Sequence, residues 1–185
     1  MSIVAGLKVD GRVYMASDSY MAVGESILNT QGAKIFRIEN KGRSPILLGV
    51  SGLSMIGEAL LKHLDWRSAA RAKNSQDFIW FFTQQASEVL RESSLLHYDE
   101  KERSEVMGGS LLLAWKGGLF LVDAGCTGTE LVTYGAVGAG DNAASGVLWL
   151  LAGLGWEGER AVRAAVDAAC ATNPFCRPPI TVMEV

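Results

Sequence analysis

Residue 2 of the chain is a serine, small enough that a methionine before it is normally removed. Removal would leave one residue carrying both a hydroxyl and a free α-amine. Such an amine has an unperturbed pKa of about 7.7–8.0, so a useful fraction is neutral at physiological pH and accepts the hydroxyl proton. Ser2 would then be nucleophile and base at once. If Met1 is kept, the amine belongs to methionine and Ser2 is blocked. Serine at position 2 is common, so taken alone it carries little weight.

Other chemistry has little support. There is no Walker A run, no H-E-x-x-H, no G-x-S-x-G elbow and no C-x-x-C. His63 and His97 have no acid and nucleophile in a matching pattern. Gly138-x-Gly140-x-x-Ala143 fits a loose dinucleotide fingerprint, but too little chain follows it to complete a parallel sheet. It reads better as a glycine-rich entry to a helix.

Composition narrows the choice further. The 185 residues are 49% hydrophobic and 20% charged, a globular balance, and the net charge of -3 gives no electrostatic case for nucleic acid. The basic residues are scattered, so no polybasic membrane patch forms. The longest apolar stretch, Gly146 to Trp156, is about half of what a bilayer needs. The N-terminus lacks the charged start of a secretory signal. Cys126, Cys170 and Cys176 cannot all pair, which argues for a reducing compartment and against a zinc site. The expectation is a cytoplasmic protein, residues 1–185 forming a single domain, with no metal or cofactor and no nucleic-acid or membrane partner.

The elements that must position these residues follow from pattern. Ile3–Val9 and Arg12–Ser17 are apolar and β-branched runs separated only by Asp10-Gly11, a strong hairpin signal. Strands are predicted at Lys34–Glu39 and Pro45–Ser51. Helices are predicted over Leu53–Trp66 and from a cap at Asn74 or Ser75 through Leu90. His97–Ser104 reads as an exposed mobile loop. Strands return at Gly108–Trp115, Leu119–Asp123 and Glu130–Val137. Helices over Asp141–Leu151 and Glu157–Ala171 precede a last strand at Ile180–Val185. Strands, two helices, strands, two helices and a strand suit an α+β fold, a four-layer αββα sandwich of two antiparallel sheets between helix pairs. Phe78–Phe82 and Val147–Leu151 are apolar almost all round, which suggests burial against another subunit.

Several stretches together resemble the proteasome β-subunit and HslV-type peptidase family of N-terminal-nucleophile hydrolases. They are Ser2-Ile3-Val4-Ala5-Gly6, Asp10-Gly11, Ala16-Ser17-Asp18-Ser19, Gly32-Ala33-Lys34-Ile35-Phe36-Arg37-Ile38 and Leu47-Leu48-Gly49-Val50-Ser51-Gly52. Counted from Ser2, Asp18 and Lys34 fall at the family's acid and lysine positions without a gap. The resemblance thus implies that Lys34, buried beside the Ser2 hydroxyl, favours its deprotonated, attacking form, and that Asp18 orients Lys34 and keeps it charged. The resemblance implies the αββα fold, self-association into a ring, a peptide or protein substrate and an ATP-dependent unfoldase as partner. It also implies that the backbone N–H of Gly49 supplies the oxyanion hole. The chain departs from the family at Ala139, where a serine is usual, and at Ala169, where an aspartate is usual; Asp141, Asp167 and Thr172 stand nearby. Three functions stay open: a serine-type peptidase, a catalytically silent ring or scaffold subunit, and an N-terminal-nucleophile amidase for a small molecule.

Overall fold

The computed structural model describes residues 2–19, 21–23, 26–28, 33–156 and 158–185. Asp10 and Gly11 join β1 (Ile3–Val9) to β2 (Arg12–Asp18) at φ of 50° and 78°, the positive values that a two-residue hairpin turn needs. Lys116 and Gly117, at φ 47° and 74°, make the same reversal between β9 (Gly109–Trp115) and β10 (Gly118–Val122).

Two antiparallel sheets result. The first has the order β12 (Tyr134–Gly138), β1, β2, β13 (Ile180–Glu184). The second runs β11 (Gly128–Leu131), β10, β9, β6 (Ile46–Gly52), β5 (Ile35–Ile38). Strand alternation sorts each strand's residues to two faces, and three separate cores record the sorting. Val4, Val13 and Met15 meet Ile35, Leu47, Leu112 and Leu119 between the sheets. Ile3, Ala5, Leu7 and Ala16 face α4 (Asp141–Gly153) and α5 (Gly158–Thr172). Ile46, Leu48, Val50, Leu111, Leu113 and Trp115 face α1 (Ser54–His63), α2 (Trp66–Ala69) and α3 (Ser75–Glu92). β1 and β6 are thus buried on both faces, which is why they read as unbroken apolar runs. The expected four-layer αββα arrangement is the one observed.

The helical layers differ in texture. Phe78 stacks on Trp115 at 4.6 Å between centroids and lies beside Phe82 and Phe120. Burying each such ring is worth roughly 1.5–3 kcal/mol. On the other side Ala144, Ala161, Ala165 and Ala169 let α4 and α5 lie close to their sheet.

Several boundaries depart from expectation. The predicted helix over Leu53–Trp66 stops at His63, because Asp65 starts α2 by accepting the N–H of Ser68 at 3.0 Å. Asn74 caps α3 as expected, its side chain accepting the N–H of Asp77 at 2.8 Å. The segment His97–Ser104, expected as a mobile loop, belongs to a ribbon of β7 (Leu96–Asp99) and β8 (Ser104–Met107). A second ribbon, β3 (Met21–Val23) with β4 (Ser26–Leu28), was not anticipated. The single strand expected over Glu130–Val137 is two strands in different sheets, β11 and β12, with the crossing at Val132 and Thr133. The apolar segments are not buried all round: Phe78, Ile79 and Phe82 are buried but Trp80 is 65% exposed. Likewise Leu148 and Leu151 are buried, while Trp149 is 68% exposed.

Candidate active site

Asp18 ends β2 opposite the start of β1, because the hairpin register pairs Val4 with Ser17 and so sets Ile3 beside Asp18. Its carboxylate is fully buried and is met from three directions. Oδ1 accepts the N–H of Ile3 at 3.0 Å and the ammonium of Lys34 at 2.7 Å, and Oδ2 accepts the N–H of Arg177 at 3.2 Å. Lys34, just before β5, is itself buried. Burial pushes its ammonium below the ordinary lysine range, and the hydrogen bond and charge of Asp18 work against that push. The sequence-predicted acid and lysine are therefore in direct contact, tied through one oxygen to the peptide that follows Ser2.

Ser2 is almost completely buried, and its carbonyl accepts the N–H of Ala139 at 2.8 Å, which extends the β1–β12 ladder by one residue. Gly138 is needed here: its φ is 116°, and an added Cβ would collide with the Ser2 carbonyl and lie 2.6 Å from Ser51 Oγ. Continuing the alternation of β1 puts the Ser2 side chain on the Val4 side, between the sheets. Ser17 and Ser51 share that side with Met15 and Gly49 in their own strands. Ser17 Oγ is buried and has no hydrogen-bond partner.

Gly49, the oxyanion position that the resemblance implies, lies inside β6 opposite Leu112. It sits in the core between the sheets, where a Cβ would lie 2.6 Å from Val4 Cγ1 and 2.8 Å from Met15 Cε. Its missing side chain serves sheet packing. Its N–H is also spent: Val50 donates to Lys34 O on the β5 side and Leu53 to Gly108 O on the β9 side. Alternate N–H groups point the same way along a strand, so Gly49 and Ser51 donate toward β9. Gly52 then points toward β5, whose described part begins at Ile35, opposite Gly49. Gly52 is exposed, has φ 108°, and is pressed so closely on Gly108 and Gly109 that no side chain would fit. Gly49 thus lies within the ladder, and Gly52 is the exposed glycine at the end of the same strand.

The support positions are also placed. Ala169 packs its methyl where a Cβ on Gly140 would stand, and Asn173 Nδ2 donates to the Ala139 carbonyl. Asp141 is engaged locally, accepting the N–H of Asn142 at 2.7 Å. The thiols of Cys170 and Cys176 lie within electrostatic reach of Asp18 and Lys34. Burial first, and then the Asp18 charge, push them up to about 12 and about 11, so both stay protonated at neutral pH. His63 and His97 lie elsewhere, on α1 and β7. No group of three or more His, Cys, Asp or Glu side chains among the described residues is placed to hold a metal ion. No helix among them is long and apolar enough to cross a membrane.

Two antiparallel sheets between helical layers, with the chain's second residue opening a central strand beside a buried Asp–Lys pair, define the fold of the proteasome-like N-terminal-nucleophile proteins. Solved structures of that fold match over nearly the whole chain. Thiobacillus denitrificans BPH is 19% identical, with a TM-score of 0.78 over 99% of this chain and 97% of that one. A second structure of that protein, in complex with Epoxomicin, gives 20% and 0.76 over the same shares. HslV from Trypanosoma brucei gives 16% and 0.70, covering 98% of each chain. The Anbu complex from Pseudomonas aeruginosa, solved as a helical assembly, gives 13% and 0.70 over 99% of this chain and 80% of that one. No family model matches the sequence, and no curated protein matches it. At such identities the likeness establishes the fold.

Proposed function

We propose that the chain is an amide-bond hydrolase, a peptidase of the N-terminal-nucleophile kind that acts through Ser2 after Met1 is removed. One observation carries this above the others: Asp18 Oδ1 joins the Lys34 ammonium to the backbone N–H of Ile3, the residue next to Ser2. A buried cation held there favours the deprotonated form of a hydroxyl beside it. Ser2 Oγ attacks the scissile carbonyl carbon while its proton passes to the neutral α-amine. The Gly52 N–H donates to the oxyanion of the tetrahedral intermediate. The intermediate collapses with cleavage of the C–N bond, and the α-ammonium gives its proton to the departing amine. Water then attacks the Ser2 ester, releasing the acid and restoring the hydroxyl. No metal or cofactor enters these steps.

The same steps would serve an amidase for a small molecule. In either case residues 1–185 act as one cytoplasmic domain that associates with copies of itself, as the Anbu complex does in its helical assembly. An ATP-dependent unfoldase would deliver protein substrates to such an assembly. A catalytically silent ring or scaffold subunit is the second reading. It is favoured by the methyl groups of Ala139 and Ala169, which give the amine no hydroxyl or carboxylate at those two positions.

Turnover of a panel of peptides, together with the N-terminal sequence of endogenous protein, separates the readings. The peptidase reading expects a chain beginning at Ser2 and activity that Ser2→Ala removes and His63→Ala and His97→Ala leave unchanged. Ser2 and Lys34 act as a unit, so the double variant should be about as inactive as either single one. A retained Met1 in active endogenous protein would overturn it.

A further inference from the structure

At the end of the sandwich away from Ser2 lies a hollow of about 920 Å³, walled by the turn between β5 and β6, the residue after α2 and the turn between β9 and β10. Lys41, Arg43 and Lys116 line it from two separate segments of chain. Among the described residues none of these three cations has an ion-pair partner. The one carboxylate on the wall, Glu39, is held by Arg37 Nε at 2.6 Å and so does not neutralise them. Lys116 is further fixed by its position over the Trp115 ring, its ammonium 4.3 Å from the centroid.

A second observation concerns hydrogen bonding. Asn40 lines the same hollow, and its Nδ2 is buried without a hydrogen-bond partner. A buried donor left unpaired is costly, and such a group calls for an explanation. Three unpaired cations and an unused amide donor on one concave wall are not the by-product of a basic protein, because the chain as a whole carries a net charge of -3.

We propose that this hollow binds an acidic peptide segment of a partner protein. Carboxylates of the segment would meet Lys41, Arg43 and Lys116, and a turn of the Asn40 side chain into the hollow would let a peptide carbonyl accept from its Nδ2. Arg43 can grip a carboxylate with two parallel hydrogen bonds, whereas the lysines act as point charges. The volume lies in the range of ordinary ligand clefts, and the charges come from two separate segments of chain, which suits a row of carboxylates better than one small anion. The site is far from the nucleophile and does not depend on whether Ser2 is active.

The test is fluorescence anisotropy of a fluorescein-labelled peptide rich in Asp and Glu, titrated with the full chain. Saturable binding is expected, weakening as salt is added. The Lys41→Glu, Arg43→Glu, Lys116→Glu triple variant should bind at least tenfold more weakly, and Asn40→Ala several-fold. Lys62→Glu, on the exposed side of α1, should bind like the wild type. If the triple variant does not fold, Arg43→Glu and Lys116→Glu alone should each weaken binding several-fold. Absence of saturable binding, or equal binding by the folded charge-reversal variants, overturns the proposal. So does displacement of the peptide by inorganic phosphate or a short oligonucleotide at equal molar concentration, which would mark a site for anions in general.

Discussion

The two ends of the sandwich use the same charges in opposite ways. At one end Asp18 and Lys34 are buried together at 2.7 Å, with the backbone N–H groups of Ile3 and Arg177 also donating to the carboxylate. At the other end Lys41, Arg43 and Lys116 line an open hollow without carboxylate partners. The buried pair is costly to desolvate and worth keeping only if geometry is fixed, which suits a reaction. The open cations cost little and keep their charge available to something that arrives from outside. Burial, rather than residue type, separates the two proposed roles.

The contrast breaks hardest at Lys34. Lys34→Ala should abolish turnover and lower the unfolding free energy by about 3–5 kcal/mol, toward the lower value because Ile3 and Arg177 still donate to Asp18. Urea unfolding beside an activity assay reads both. Charge reversal at Lys41, which makes no ion pair among the described residues, should by contrast move stability by no more than about 0.5 kcal/mol.

A smaller effect sharpens the oxyanion assignment. Gly49→Ala should cost about 1–3 kcal/mol of stability, because the new methyl meets Val4 and Met15, while the folded fraction keeps its turnover. Gly52→Ala should reduce turnover per folded molecule as well, since the backbone there sits at φ 108° and must shift. Equal loss of specific activity in both variants would return the oxyanion role to question.

The smallest expected effect concerns pH. The Cys176 thiol is raised from 9.0 to about 11 in the folded chain, so the folded state holds its proton after the unfolded state has released it. Its contribution is therefore complete below pH 9 and is lost as pH rises toward about 11. Lys34 works in the opposite sense: its lowered ammonium makes stability rise with pH between its folded value and 10.5. Cys176→Ala should lose less stability than the wild type across the alkaline window. Identical profiles would show that the thiol is not held apart from solvent in this way.

Much of the fold could be read from local signals that have a direct geometric cause. Asp10-Gly11 supplied the positive φ values of the first hairpin, and Asn74 offered a cap for α3. The hairpin register sets Asp18 beside Ile3, and the Lys34 ammonium meets the same carboxylate from the other sheet. What failed depends on long-range partners. Glu130–Val137 looks like one strand because nothing local marks the change of sheet, although Val132 is left 90% exposed at the crossing. His97–Ser104 is polar enough to pass for a loop, yet its ends pair across β7 and β8. Gly49 and Gly52 are both glycines of β6, and only the register with β9 shows that Gly49 lies within the ladder while Gly52 sits at its exposed end. The Asn40 donor and the cations around it were invisible as a cluster, because Lys116 is far from Lys41 in sequence.

The central claim is that Ser2, with its own α-amine free, is the nucleophile. Incubating the processed protein with an electrophilic peptide probe and mapping the product by intact and fragment mass tests this directly. One adduct is expected, on Ser2, absent from Ser2→Ala and from protein that retains Met1. An adduct on Cys126, Cys170 or Cys176 instead, or none on a folded chain that begins at Ser2, would contradict it.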